Sequence, residues 1–464
     1  MRSSCLVLAG LCACAASEPV PAGAPPPRPS EAAIPVPREY AAAYVLTWAD
    51  QRIGDAAESL ARAGDGFELV RRERIAIRRG DGEVQLRTEI RVELDDDLRA
   101  RRVTVTRDSG GSRITGEARR GEDGEWRVQF GDEPARAIDG ATVPLELLPA
   151  FLAAGAEPRF EGQVMLPGYG FATAELYARP ASGDPRRVVV ALVVPAGVLR
   201  QELVFDERGL VRIDAPGAVE ARRVEPALIA EAFEPPELVD SVSISVSGRA
   251  PERADIVRLV LDGVTAPEPP ALPAQHVRVV DGRWEVTLAP GFNSEAVADH
   301  VAALATTAPP DQAMAALAAA IVSESGARAP MQEIAALARY TDRLIEDDLA
   351  VASADARTAF ALGRGDCTAH ATVFAAFAAA RGFEVRLVTG YRLTPADDGH
   401  RLVRHRWAIA RVDDLWIAVD PTYGEAPAAA LDLGLAIHGA SAAEIALIDE
   451  LTFAGFRTTT AAFR

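Results

Sequence analysis

Cysteine is nearly absent from this chain, and where it falls matters more than how much there is. Of four cysteines in 464 residues, Cys5, Cys12 and Cys14 cluster at the start, so Cys367 is the single thiol of the body that follows. A lone thiol cannot close an internal disulfide, which leaves a buried apolar filler or a free reactive group. Beyond residue 16 no stretch offers about 20 uninterrupted apolar residues, which excludes a later membrane-spanning helix. Positive charge is in deficit: 49 Lys+Arg against 67 Asp+Glu give a formal net charge of −18. That balance argues against a nucleic-acid backbone as partner. Patches such as Arg71-Arg72-Glu73-Arg74 and Arg99-Ala100-Arg101-Arg102 are interleaved with acids and read as solvated strand faces. Glycine-rich phosphate loops, Cys-x-x-Cys pairs and His-x-x-x-His pairs are missing too, so no nucleotide or metal cofactor is expected.

What is present, 49% hydrophobic and 25% charged residues, suits a globular protein of two or three cored domains. Residues 1–16 carry one arginine, then Leu6-Val7-Leu8-Ala9-Gly10-Leu11, then small residues, the build of an export signal rather than a membrane span. Leu11-Cys12-Ala13-Cys14 resembles a bacterial lipobox with Cys14 as the lipidated residue, although Ala13-Cys14-Ala15 also fits ordinary signal cleavage. Under the lipobox reading, the proline- and alanine-dense residues 17–39 are a tether between lipid and domain. Ala15 stands where an aspartate is associated with inner-membrane retention, so the resemblance implies an outer-membrane lipoprotein facing the periplasm or the surface.

Residues 40–226 alternate apolar and polar positions in short runs, among them Phe67 to Ile77, Glu83 to Leu94, Trp126 to Phe130 and Val188 to Val194. Asp81-Gly82, Asp123-Gly124 and Glu207-Arg208-Gly209 supply turn chemistry between runs, and Leu145 to Ala154 reads as a helical interruption. An antiparallel β domain follows. Residues 227–292 read as a linker and a small β module, with strands at Ser241 to Ser247, Ile256 to Leu261 and Trp284 to Leu288. Residues 293–464 open with helices at Ser294 to Thr306, Asp311 to Glu324 and Pro330 to Leu349, before the cysteine helix and further strands. The expected class is α+β.

The chemistry concentrates at Arg364-Gly365-Asp366-Cys367-Thr368-Ala369-His370. Asp366 can cap a helix whose first turn then holds Cys367, where unpaired N–H groups and the helix dipole favour a thiolate, and Gly382 can end that helix. Downstream, His405 to Val412 and Leu415 to Thr422 flank Asp413-Asp414, a hairpin signal. If Val412 faces Leu415, then His405 faces Thr422, Trp407 faces Asp420, and His405 and Asp420 become diagonal neighbours roughly 7–8 Å apart at the backbone. His370 follows Cys367 by one turn; packing behind the cysteine is the plain expectation, and a Cys367/His370/His405 zinc site the alternative. Trp407 and Trp416 read as core aromatics, with Trp407 also able to wall a cleft.

Cys367, His405 and Asp420, with the Gly-Asp-Cys helix, the His-x-Trp strand and the Asp-Pro-Thr strand end, resemble the triad of the transglutaminase-like superfamily. The resemblance spans residues 293 to 440, including Arg381 to Tyr391 and Tyr423-Gly424-Glu425-Ala426-Pro427. It departs at Ala369, where many relatives carry glutamate. It implies a papain-like cysteine acyl-transfer fold with no cofactor, acting on peptide or protein amides through Cys367 as nucleophile, His405 as base and Asp420 as orienter. Water would make the enzyme a peptidase or amidase, and an amine would make it a cross-linker. The other expectation is a non-catalytic envelope binding or scaffold module that keeps the fold.

Overall fold

A computed structural model describes residues 39–464 apart from short stretches, the longest being 291–311. Cys14, the tether and the helix expected at Ser294 to Thr306 lie outside the described residues. The architecture is α+β. From Tyr40 to Val224 the chain forms a 15-stranded sheet in which sequence neighbours pair, and the first strand, Tyr40–Trp48, pairs with the last, Val219–Val224. All its pairings are antiparallel except Val143–Pro144 against Phe160–Leu166. The two edge strands, Arg136–Ile138 and Val143–Pro144, are consecutive in the chain. The sheet therefore curls until its edges are neighbours, which leaves it no long open margin.

Alternation in the sequence becomes alternation of burial in this sheet. In Gly82–Leu94, Val84, Leu86, Thr88, Ile90, Val92 and Leu94 point inward and the residues between them outward. The expected helical interruption forms as a 3-10 turn, Leu145–Leu147, and a helix, Leu148–Ala154, whose Leu148 and Leu152 enter the core. Arg71 departs from the solvated face expected for it. It is buried and donates to Glu58 at 3.1 Å and to Glu73 at 3.5 Å, because its strand has apolar neighbours on both faces and a buried guanidinium needs carboxylates.

The strands within residues 227–292 do not form a separate module. Ile244–Ser247, Val257–Asp262, Gln275–Val280 and Arg283–Leu288 belong to a second, nine-stranded sheet that also contains Val385–Ala396, Gly399–Val412, Leu415–Val419 and Asp432–His438. Thr460–Phe463 lies in its interior, parallel to Ile244–Ser247 and antiparallel to Val257–Asp262. Helices Gln312–Ser325, Pro330–Leu344 and Ala356–Leu362 surround the cysteine helix, Cys367–Ala380. The second of these stops at Leu344, short of the expected Leu349. Ile345 turns extended so that Glu346–Asp347 can pair in parallel with Arg364–Gly365, the approach to the cysteine.

Candidate active site

Asp366 caps the cysteine helix by accepting the Thr368 N–H at 2.9 Å, which puts Cys367 at the first helical position. The body of the helix is apolar on every side, with Val373, Phe374 and Phe377 fully buried, so the cysteine sits on a rigid element. Gly382 ends it at φ +84°: its N–H reaches Ala379 O at 2.9 Å and that of Phe383 reaches Ala378 O at 3.0 Å, a Schellman closure that needs glycine. Gly365 has a steric role. A Cβ there would lie 2.5 Å from the Cβ of the fully buried Ala369.

The histidine strand, Gly399–Val412, turns at Asp413 and Asp414, both at positive φ, into Leu415–Val419, with Val412 opposite Leu415 and Ala408 opposite Val419. Asp420 leaves the ladder there and bridges to Glu425 instead of facing Trp407. Its carboxylate nonetheless reaches the histidine: His405 Nε2 lies 2.8 Å from Asp420 Oδ2. The outer edge of the histidine strand pairs with Ile244–Ser247 over His400 to Leu402 and with Leu415–Val419 over Ala408 to Val412. Among the described strands none pairs between those stretches, and His405 lies in that gap. There it lies beside the Cys367 thiol, near enough for each to shift the other's titration. With Nε2 turned to Asp420, Nδ1 is the nitrogen left for sulfur. Cys367 is 7% exposed.

The electrostatics follow from burial and pairing. Burial alone would lower the pKa of His405, but the charge and hydrogen bond of Asp420, together with Cys367, push it up to about 10. Burial pushes the Cys367 thiol up, as does the charge of Asp366, while the hydrogen bond and charge of His405 pull it down. Asp420, fully buried, is held below the carboxylate range: burial works against this, and His405 and Arg392 outweigh it. Its Oδ1 accepts the Thr422 N–H at 3.1 Å.

Sequence reasoning does not reach the layer behind the histidine. Arg392 donates to Asp420 Oδ2 at 2.6 Å, to Asp432 at 3.0 Å and to Glu425 at 3.3 Å, and stacks 3.9 Å from the Tyr423 ring. Burial and then the charge of Asp420 push Asp432 up to about 7. The available signal is an arginine inside the apolar run Leu387 to Leu393. His405, Asp420 and Asp432 are close enough to hold a cation, but the Arg392 guanidinium already bonds both carboxylates. On the opposite face, buried Arg406 donates to Thr389 Oγ1 at 2.6 Å and to Thr368 Oγ1 at 3.3 Å, beside the cysteine.

His370 packs behind the cysteine, with Nδ1 3.1 Å from Asp366 O and Nε2 3.0 Å from Ile345 O, so both nitrogens face carbonyls rather than a shared ligand position. Trp407, 3% exposed, is a core aromatic stacked 5.9 Å from the His405 ring and not a cleft wall. The exposed ring beside the histidine is Tyr423, 49% exposed and 5.9 Å from it. The β domain reaches the rim of the site: Arg79 Nη2 lies 3.2 Å from Asp366 Oδ2.

Residues 315–421 match the family model of the transglutaminase-like superfamily. No curated protein matches the chain. Among solved structures, a β-barrel-like domain of unknown function from Brucella abortus is 13% identical and covers 40% of this chain and 96% of its own, at a TM-score of 0.32. A candidate cysteine protease from Cytophaga hutchinsonii, 12% identical, covers 45% and 87% at 0.25. A TGase, 15% identical, covers 34% and 45% at 0.19. The matched stretch, in the C-terminal part of the chain, holds Cys367, His405 and Asp420.

Proposed function

We propose that the chain is a cysteine acyl-transfer enzyme acting on amide bonds of peptides or proteins. The observation that carries this is the grouping of Cys367, His405 and Asp420, with the imidazole beside the thiol and hydrogen-bonded at 2.8 Å to a buried carboxylate. The Cys367 thiolate attacks the carbonyl carbon, His405 gives its proton to the departing nitrogen as the C–N bond breaks, and a thioester remains. His405 then takes a proton from water or from an amine, which attacks the thioester, releases the acyl group and regenerates the thiol. Asp420 fixes the imidazole tautomer throughout. The Cys367 N–H at the helix start is the donor offered to the developing oxyanion. The exposed Tyr423 ring, with the partly exposed Glu425 beside Arg392, forms part of the rim that substrate meets.

The experiment is alkylation of Cys367 near neutral pH in the full chain, compared with His405→Ala. Fast labelling that falls with the histidine supports the nucleophile, and equal slow labelling of both rejects it. Ammonia leaves a glutamine peptide in either case, so formation of the glutamate product, against incorporation of a fluorescent amine, separates hydrolysis from transamidation. Cys14 is proposed as a lipid anchor to the cell envelope, tested by whether Cys14→Ser frees the protein from membranes.

A further inference from the structure

Asp366 does two jobs that conflict. As helix cap it must keep an acceptor oxygen at the Thr368 N–H, and a carboxylate does this well. As the residue adjoining Cys367 it puts a negative charge where a thiolate must form. Burial and, less strongly, that charge push the cysteine's pKa up, against opposing charges that leave it lowered overall. The two oxygens divide the work: Oδ1 takes the Thr368 N–H, and Oδ2 takes Arg79 Nη2 at 3.2 Å. Arg79 and Asp366 are each 1% exposed, and they are 287 residues apart in the chain. A pair so far from water interacts more strongly than the same pair at a surface, and each charge would be costly without the other.

The placement of Arg79 is built. It is the last residue of the strand Gly66–Arg79 and pairs with Gly82 across a hairpin tip. A Cβ on Gly82 would meet the Ala350 Cβ at 2.9 Å, so the tip is seated against the loop that follows Glu346–Asp347. Those two residues pair with Arg364–Gly365, immediately before the cap. Arg78 N–H donates to Pro236 O at 2.8 Å and fixes the hairpin from its other side.

We propose that Arg79 is a positioning residue for the cysteine: it neutralises the cap carboxylate, so that Asp366 holds the helix start without suppressing the thiolate beside it. The N-terminal sheet thereby supplies part of the reactive centre. This rests on Cys367 being the nucleophile. Among the described residues, the other titratable and charged groups around the thiol are His405, backed by Asp420 and Arg392, the Tyr423 hydroxyl, Arg406 on Thr368, and His370 against the Asp366 carbonyl.

The test is the rate of Cys367 alkylation by iodoacetamide against pH in the full chain, for wild type, Arg79→Gln, Asp366→Asn, the Arg79→Gln/Asp366→Asn double variant and His405→Ala. Arg79→Gln is expected to move the midpoint up by about one pH unit, the low end for loss of one close opposite charge. Asp366→Asn, still a good cap, moves it down, and the double variant returns towards wild type. An unchanged midpoint in Arg79→Gln, or a double variant shifted as far as Arg79→Gln, overturns the inference. If Arg79→Gln does not fold, the decision falls to Asp366→Asn, and a midpoint that fails to drop overturns it equally. A reactivity that ignores His405→Ala is a different failure, that of the nucleophile reading itself.

Discussion

His405 is the residue on which charge, geometry and chemistry meet. Its pKa is raised in the folded chain, so its contribution to stability is complete below about pH 6.5, the unfolded value, and is lost as pH rises through about 10. Asp420 has the opposite sign: its contribution holds above about pH 3.9 and is lost as pH falls. Thermal unfolding of His405→Ala should therefore lack the alkaline loss expected of wild type between those limits. Cys367→Ala and His405→Ala should each abolish nearly all turnover, their combination should be no worse than either, and Asp420→Asn should retain more. Removing Arg392 leaves Asp420, Asp432 and Glu425 facing one another, and Arg392→Met should cost about 3–5 kcal/mol in denaturant unfolding. Tyr423→Ala should raise KM by about tenfold with kcat little changed, since an exposed ring is worth about 0.5–1.5 kcal/mol in stacking. The three site residues were legible because each stands in a local motif. Arg392 and Asp432 were not, because their meeting depends on which strands lie side by side.

At the scale of elements, the hairpin below His405 was readable in register because its turn is two residues long and both adopt positive φ, which Asp tolerates. Asp414→Val places a branched side chain at φ 65° and should cost about 1–2 kcal/mol in chemical denaturation. Ile417→Thr on the same strand makes a useful contrast, testing packing rather than backbone strain. The helix Pro330–Leu344 was misjudged at its end for a physical reason. Nothing within Ile345 to Leu349 breaks a helix, and the stop comes from pairing with Arg364–Gly365, residues that sequence order alone does not bring near. The cysteine helix, by contrast, carries both of its own boundaries in Asp366 and Gly382.

For the whole molecule, the β region before Pro226 was legible as antiparallel because its strands pair with sequence neighbours. Membership of the second sheet was not legible, since its strands come from both sides of the cysteine helix. The chain contains no lysine, so an acyl group passed to a lysine amine must go to another molecule. The strand Thr460–Phe463 reaches far back along the chain. Ser247 Oγ donates to Ala461 O across 214 residues, and Ala461 also pairs with Leu261. Deleting residues 460–464 should make the second sheet protease-sensitive while the first stays resistant, because an interior strand is lost rather than an edge. There is also a consequence for timing. During synthesis the strands at Ile244 and Val257 wait, unpaired on facing edges, until almost the last described residue has left the ribosome. The thiol is thus made long before the sheet that holds His405 is complete.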